Sequence, residues 1–243
     1  GSGHFLVAAV DHIEARLSSF LADHPIPGVI NELQRLARVA LDNLGELAEG
    51  VEIEQATLLR RQVARRCIYG VDLNRIAVEL ARLGMWIHTF VPGLPLSFLD
   101  HNLVEGNSLT GIGTLEEAVD AVIPSKTPAG TKRVLQSDIR DLLKRAEPSL
   151  RRLAKTAEAT AQEIRDARAA HHEAKEAVEV VRKLFDLACA VRLGEVDPIA
   201  DFGEERIASN RRLPDAERLA ADLQVLHFPI VFPEVFLREN PGF

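Results

Sequence analysis

The chain has 243 residues, 47% of them hydrophobic and 27% charged, which suffices for one globular domain with a core, or a domain plus an appendage, and excludes a disordered chain. Two cysteines, Cys67 and Cys189, on a chain of formal net charge -7 exclude a disulfide framework and a four-thiolate zinc site, and they fit a reducing cytoplasm. No stretch approaches about 18 consecutive apolar residues and the first residues do not read as an export signal, so a soluble, cytoplasmic protein with no membrane partner is expected.

The predicted elements begin with a helix over about 4 to 22, with Ala8, Ile13, Leu17, Phe20 and Leu21 at helical spacing, ended by the turn from Pro25 to Gly28. A second helix is predicted over about 29 to 44, using Ile30, Leu33, Leu36, Ala37 and Leu41, and a third over about 51 to 66. The short apolar run from Cys67 to Asp72 reads as a buried strand ending in an acid. Asn74 then caps a helix over about 74 to 89, whose inner face is predicted from Ile76, Ala77, Leu80, Leu83 and Gly84. The loop from Val91 to Leu96 ends it, and His101 to Gly106 reads as a second short strand, followed by the turn Asn107-Ser108. Helices alternating with strands predict a parallel α/β sheet, because parallel neighbours need a crossover.

Beyond about Thr110 the texture changes. From Val134 to Val191 no glycine occurs and only Pro148 interrupts a helical pattern. Leu150, Ala157, Ile164, His171, Val178 and Phe185 repeat every seven residues, with a second stripe at Leu153, Thr160, Ala167, Ala174, Val181 and Ala188. This heptad seam predicts a long, coiled-coil-like helical arm, folded back on the chain or paired with a second copy. The segment from Leu226 to Phe236 carries Phe228, Phe232 and Phe236 and reads as an apolar surface that something covers. Met85 is the one methionine, the chain opens on Gly1-Ser2-Gly3 and it closes on Asn240-Pro241-Gly242-Phe243. Both ends are therefore expected to be cuts within a longer protein.

Gly1-Ser2-Gly3 leads directly into a helix, where glycines let a ligand approach the backbone and the helix N-terminus offers amide donors; the same tripeptide is also what a cleaved tag leaves behind. Asp72, at the carboxyl end of a strand, is placed to accept hydrogen bonds from both hydroxyls of a ribose, or else to cap the next helix, a role for which Asn74 is better placed. Asn107 offers an amide that can reach an adenine edge, or makes a plain turn. The eight histidines form no metal-ligand pattern. Arg60, Arg61, Arg65 and Arg66 form the densest basic cluster, read as a solvated face or a local phosphate contact.

Together, the segments Gly1 to Leu6, Arg66 to Asn74 with Ala77 to Ala81, Phe90 to Gly93 and Glu105 to Leu109 resemble one family. It is the large class I adenine-specific DNA methylases of type IIG restriction-modification and BREX-type phage-defence systems. The resemblance covers most of residues 1 to 110 and resumes at 228 to 236. It implies S-adenosyl-L-methionine as cofactor and methyl transfer to the exocyclic amine of a flipped-out adenine in DNA, the partner of the parent protein. It also implies that Gly1, Ser2 and Gly3 lie near the methionine end of the cofactor, Asp72 at the ribose, Leu73 against the adenine ring and Asn107 near the adenine amine. The implied fold is an incomplete Rossmann-like methyltransferase sheet with an α-helical insertion: residues 1–112 bind the cofactor, 113–222 are the insertion, and 223–243 return toward a catalytic strand.

The family's catalytic Asn/Asp-Pro-Pro-aromatic tetrapeptide is absent; Asn240-Pro241-Gly242-Phe243 has glycine in its third place. No catalytic residue is therefore assigned, no metal is needed, and the chain alone is expected to be inactive, with Asn240 and Phe243 as a degenerate pair the minority reading. Two rivals stand beside this. A nicotinamide-dependent oxidoreductase expects a third glycine where Leu6 stands and an acid about 20 residues on, far short of Asp72. A helical interaction or scaffold module makes the heptad segment the functional element.

Overall fold

The computed structural model describes residues 1, 3–123, 128–156, 158–198 and 204–236. The chain is mostly helical, and its described residues contain one two-stranded parallel sheet. They fall into two compact units, Gly1–Glu105 with Lys155–Arg168, and Gly106–Ala154 with Ala169–Phe243. This division differs from the expected boundary at 112: the chain passes from the first unit to the second at Gly106, and the stretch 155–168, expected within the insertion, belongs to the first unit.

In the first unit, α1 (His4–Asp23), α2 (Pro27–Leu44) and α3 (Gln55–Cys67) precede β1 (Gly70–Asp72), α4 (Arg75–His88) and β2 (Leu103–Glu105). Pro27 opens α2 at a position where its missing N–H costs nothing, and Leu33, Leu36 and Ala40 form its buried stripe. Asn74 caps α4: its Oδ1 accepts from the Ile76 and Ala77 amides at 2.8 and 3.3 Å. As the crossover, α4 allows β1 and β2 to run parallel, with Gly70 opposite Leu103, Val71 opposite Val104 and Asp72 opposite Glu105. The predicted strand begins later than its apolar run, because Cys67 closes α3 and buried Asn102 donates from Nδ2 to the Arg65 and Ile68 carbonyls at that helix end.

The predicted inner face of α4 is corrected. Val78, Ala81 and Met85 are buried, joining Val10, Val63, Ala64, Ile68, Leu99 and Leu103 in one core. Ile76, Leu80 and Leu83 lie on the exposed side, at 70%, 48% and 50% exposure. Both stripes have helical spacing, so periodicity alone does not choose between them; the close approach of Gly3 to Ala81 does. A second core gathers Leu33, Leu36, Ala40, Leu58, Leu59, Val91, Leu94 and Ala159.

In the second unit, α5 (Leu115–Val122), α6 (Ala129–Lys144) and α7 (Glu147–Lys155) are followed by α8 (Ala161–Ala177), which begins in the first unit, and by α9 (Glu179–Arg192). The chain continues through α10 (Glu204–Ala208), α11 (Leu213–Asp222), α12 (Phe228–Val231) and α13 (Pro233–Phe236). Thr114 caps α5, its hydroxyl accepting from the Glu117 amide at 3.1 Å, while Glu117 accepts from the Gly113 amide at 2.7 Å. α9 runs through the core with Val181, Leu184, Phe185, Leu187 and Ala188 buried, and α5, α6, α10 and α11 pack on it.

The long coiled-coil-like arm is also corrected. Most seam positions are buried, Leu150, Val178, Phe185, Ala174, Val181 and Ala188 among them, but in a globular helical core. The pattern is cut between α7 and α8, where Glu158 has a left-handed φ of 57°, and again between α8 and α9. Heptad spacing specifies which side of each helix is apolar; it does not oblige successive helices to be collinear. The phenylalanine-rich segment forms α12 and α13, with Phe228 within 6.1 Å of Phe232 and 6.0 Å of Phe236, ring centre to ring centre.

Candidate functional site

The first unit contains a cavity of about 320 Å³ at the start of α1, the carboxyl end of β1 and the first turns of α4. Gly1, Gly3 and Asp72 line it, with Leu6, Val71, Val78 and Ala81 supplying an apolar wall. Its volume lies within the range of small-molecule pockets, and its make-up, apolar with few polar groups, is typical of them.

Gly3 is indispensable to this arrangement. It has φ +84° and ends α1 with no side-chain cap, and a Cβ there would lie 2.9 Å from the Ala81 Cα. Its missing side chain is thus used for the close contact between α1 and α4, beside the cavity that Gly3 and Ala81 both line. Gly93, in the second loop that carries the family resemblance, is held the same way: at φ +80° a Cβ would meet the Ala40 carbonyl at 2.1 Å, and Asn43 donates to the Gly93 carbonyl at 2.9 Å.

Asp72 and His4 are the polar side chains that line the cavity. Asp72 Oδ1 accepts from the Asn74 amide at 2.8 Å and its Oδ2 accepts from the Gly1 amino group. The Gly1 ammonium, and after it the Asn74 amide, hold the Asp72 carboxyl below the usual carboxylate range. One Asp72 oxygen thus tightens the turn into α4, and the other meets the Gly1 amino group. Leu73, beside it, is 53% exposed.

Of the remaining expected site residues, Ser2 lies outside the described residues, as do Asn240 and Phe243. Asn107 belongs to the second unit. There its Oδ1 accepts from the Leu109 amide at 3.1 Å, its own amide donates to the Gln224 carbonyl at 2.6 Å, and it pairs in parallel with Val225. The turn role of Asn107 is thus realised by its side chain.

The basic cluster departs from its expected solvated face. Arg61 and Arg65 are 2% and 6% exposed, and Glu158, fully buried, stands between them and the loop after α4. Arg65 Nε lies 2.9 Å from Glu158 Oε1, and Glu158 Oε2 accepts from the Phe98 amide at 2.9 Å. Arg61 donates to the Pro95 and Glu158 carbonyls at 2.7 and 3.1 Å, and Arg65 to the Thr156 carbonyl at 2.7 Å. Burial pulls the Arg61 guanidinium down to about 10, with Glu158 opposing, and lowers Arg65 for the same reason. The sequence signal for this cluster was the arginine spacing of four on α3; its acidic partner, 93 positions beyond Arg65, has no local signal.

No group of three or more His, Cys, Asp or Glu side chains that could hold a metal ion occurs among the described residues. Among the same residues, no helix is long and apolar enough to cross a membrane. The glycine-lined cavity with one carboxylate at a strand end lies at the carboxyl edge of a parallel β-α-β unit. No protein-family model, curated protein or solved structure matches the chain.

Proposed function

We propose that the first unit is the cofactor-binding part of an S-adenosyl-L-methionine-dependent adenine DNA methyltransferase of a restriction-modification or phage-defence system, and that the second unit is its helical insertion. The observation that carries this reading is the cavity in which Gly1, Gly3 and Asp72 meet at the carboxyl edge of β1. Ligands of open α/β sheets bind at that edge, and an acid there takes the ribose hydroxyls. The motif resemblance in the same residues makes the ligand S-adenosyl-L-methionine, although Leu6 already departs from a dinucleotide fingerprint.

The residues present fit such a ligand at its ribose end. The Asp72 Oδ2 that accepts from Gly1 would accept from the ribose diol, while Oδ1 stays bound to the Asn74 amide and keeps the carboxylate aimed. Leu73, half exposed beside it, is available to the adenine ring. Gly1 and Gly3 bring main chain to the cavity wall where the amino-acid end would lie. The cofactor supplies an activated methyl group on a sulfonium, so the protein's part is placement and charge complementarity, without a nucleophilic side chain. DNA is the macromolecular partner under this reading, with the target adenine flipped from the duplex.

Calorimetric titration of the chain with S-adenosylhomocysteine tests the reading, with NAD as competitor. Saturable binding that NAD leaves unchanged and Asp72→Asn abolishes is the expected result. Absence of binding, or displacement by NAD, would overturn it.

A further inference from the structure

A second cavity in the first unit lies among α1, α2 and α3, away from the residues assigned above, and has a volume of about 370 Å³. Leu17, Val29, Leu33, Leu59 and Val63 make it apolar, while Glu32, Gln62 and Arg66 give it a polar end. Gln62 is 8% exposed. Its carbonyl accepts from Arg65 Nη1 and from Arg66 Nε, each at 3.2 Å, which fixes the amide orientation, since guanidinium nitrogens only donate. The amide nitrogen is then left buried with no hydrogen-bond partner among the described residues. Buried polar groups are nearly always paired, and the cavity that Gln62 lines is where an acceptor can come from.

We propose that this cavity is a binding site for a small amphipathic monocarboxylate. Its apolar body fills the space between the three helices, and its carboxylate accepts from the Gln62 Nε2–H beside Arg66. The unpaired amide calls for an acceptor, Arg66 beside it favours a negative one, and Glu32 on the same wall opposes a dianion or a phosphate. The size requires a short chain or one ring system, because the volume is at the lower end of ligand pockets.

Cys67 makes the site readable without modification of the protein, since it lines the cavity and is exposed, whereas Cys189 is buried with its thiol donating to the Thr110 carbonyl. The probe is octanoate, with octylamine as the chain of equal length and opposite charge, and the readout is the rate of maleimide labelling at Cys67 in the full chain. Octanoate is expected to protect Cys67 saturably, and octylamine is not. Gln62→Glu keeps an oxygen for both arginines but removes the donor, and is expected to weaken octanoate by about tenfold or more, the loss of roughly one hydrogen bond. Gly28→Leu fills the cavity from a helix position where a Cβ meets nothing within 4 Å, and is expected to abolish protection with the melting temperature retained. Equal protection by the two probes, no saturable protection, or unchanged affinity in either variant would overturn the proposal.

Discussion

Arg65 and Glu158 form an ion pair at 2.9 Å with side-chain exposures of 4% and 0%, joining α3 to a stretch of chain 93 positions further on. Removing both charges from water is costly, and the pair holds because the remaining polar atoms are used: Glu158 also accepts from the Phe98 amide and Arg65 donates to the Thr156 carbonyl. Glu158 keeps a left-handed backbone to reach this position, which the surrounding contacts must compensate.

Glu158→Gln leaves two buried guanidinium groups without their counter-charge. The expected loss is about 3–5 kcal/mol in urea unfolding of the full chain. A double-mutant cycle with Arg65→Met should return a coupling energy above about 1 kcal/mol; additive losses would mean that the pair does not act as a unit.

Gly3→Ala places a methyl group on Ala81 and forces an L side chain into a left-handed conformation. A loss of about 1–3 kcal/mol is expected, seen as a lower Tm. Ala81→Gly in the same chain should relieve the steric part and leave the conformational part. Full recovery would show that packing alone makes the glycine necessary.

In this chain the Gly1 ammonium and the Asn74 amide hold the Asp72 carboxyl below the usual carboxylate range, and the Asn74 bond is the part that does not depend on a free amino group at Gly1. The contacts of Asp72 are therefore fully present above the usual carboxylate value and are lost as pH falls through the depressed one. An NMR titration of the Asp72 side-chain carboxyl should show the low midpoint. Binding of S-adenosylhomocysteine should stay flat from neutral pH through the usual carboxylate range and fall only below it; a fall beginning within that range or near neutrality would point to a different group.

His227 in the second unit has its tautomer set by its neighbours. Nδ1 accepts from the Ile112 amide at 3.0 Å, so Nε2 carries the proton and donates to Asp186 Oδ1 at 2.9 Å. His227→Phe keeps an aromatic ring but strands the Ile112 amide and one Asp186 oxygen, and a loss of about 1–3 kcal/mol in the free energy of unfolding by urea is expected. A neutral result would mean that water replaces both bonds.

Local chemistry was legible where the signal lies within a few residues. Asn74 as a cap and Asp72 at a strand end each depend on the backbone of their immediate neighbours, and each stands where the sequence places it, whereas α2 begins at Pro27, within the stretch expected to be a turn. Gly1 and Gly3 line one cavity with Asp72, which is far from them in sequence. Asn107 shows the limit of local signals, since an amide after a strand serves a turn as readily as a ligand.

Sequence by itself pointed to helices alternating with two short strands up to about residue 106 and to helix between about 134 and 191, because propensity and periodicity act over one or two turns. Tertiary structure decided which stripe of α4 is inward, where the heptad pattern breaks, and that Arg61 and Arg65 are buried. The first and the last of these depend on a partner distant in sequence: Gly3 for Ala81, and Glu158 for the arginines. A helix face or a charge has no fixed environment until the residue that covers or neutralises it arrives, and only the folded chain specifies that residue.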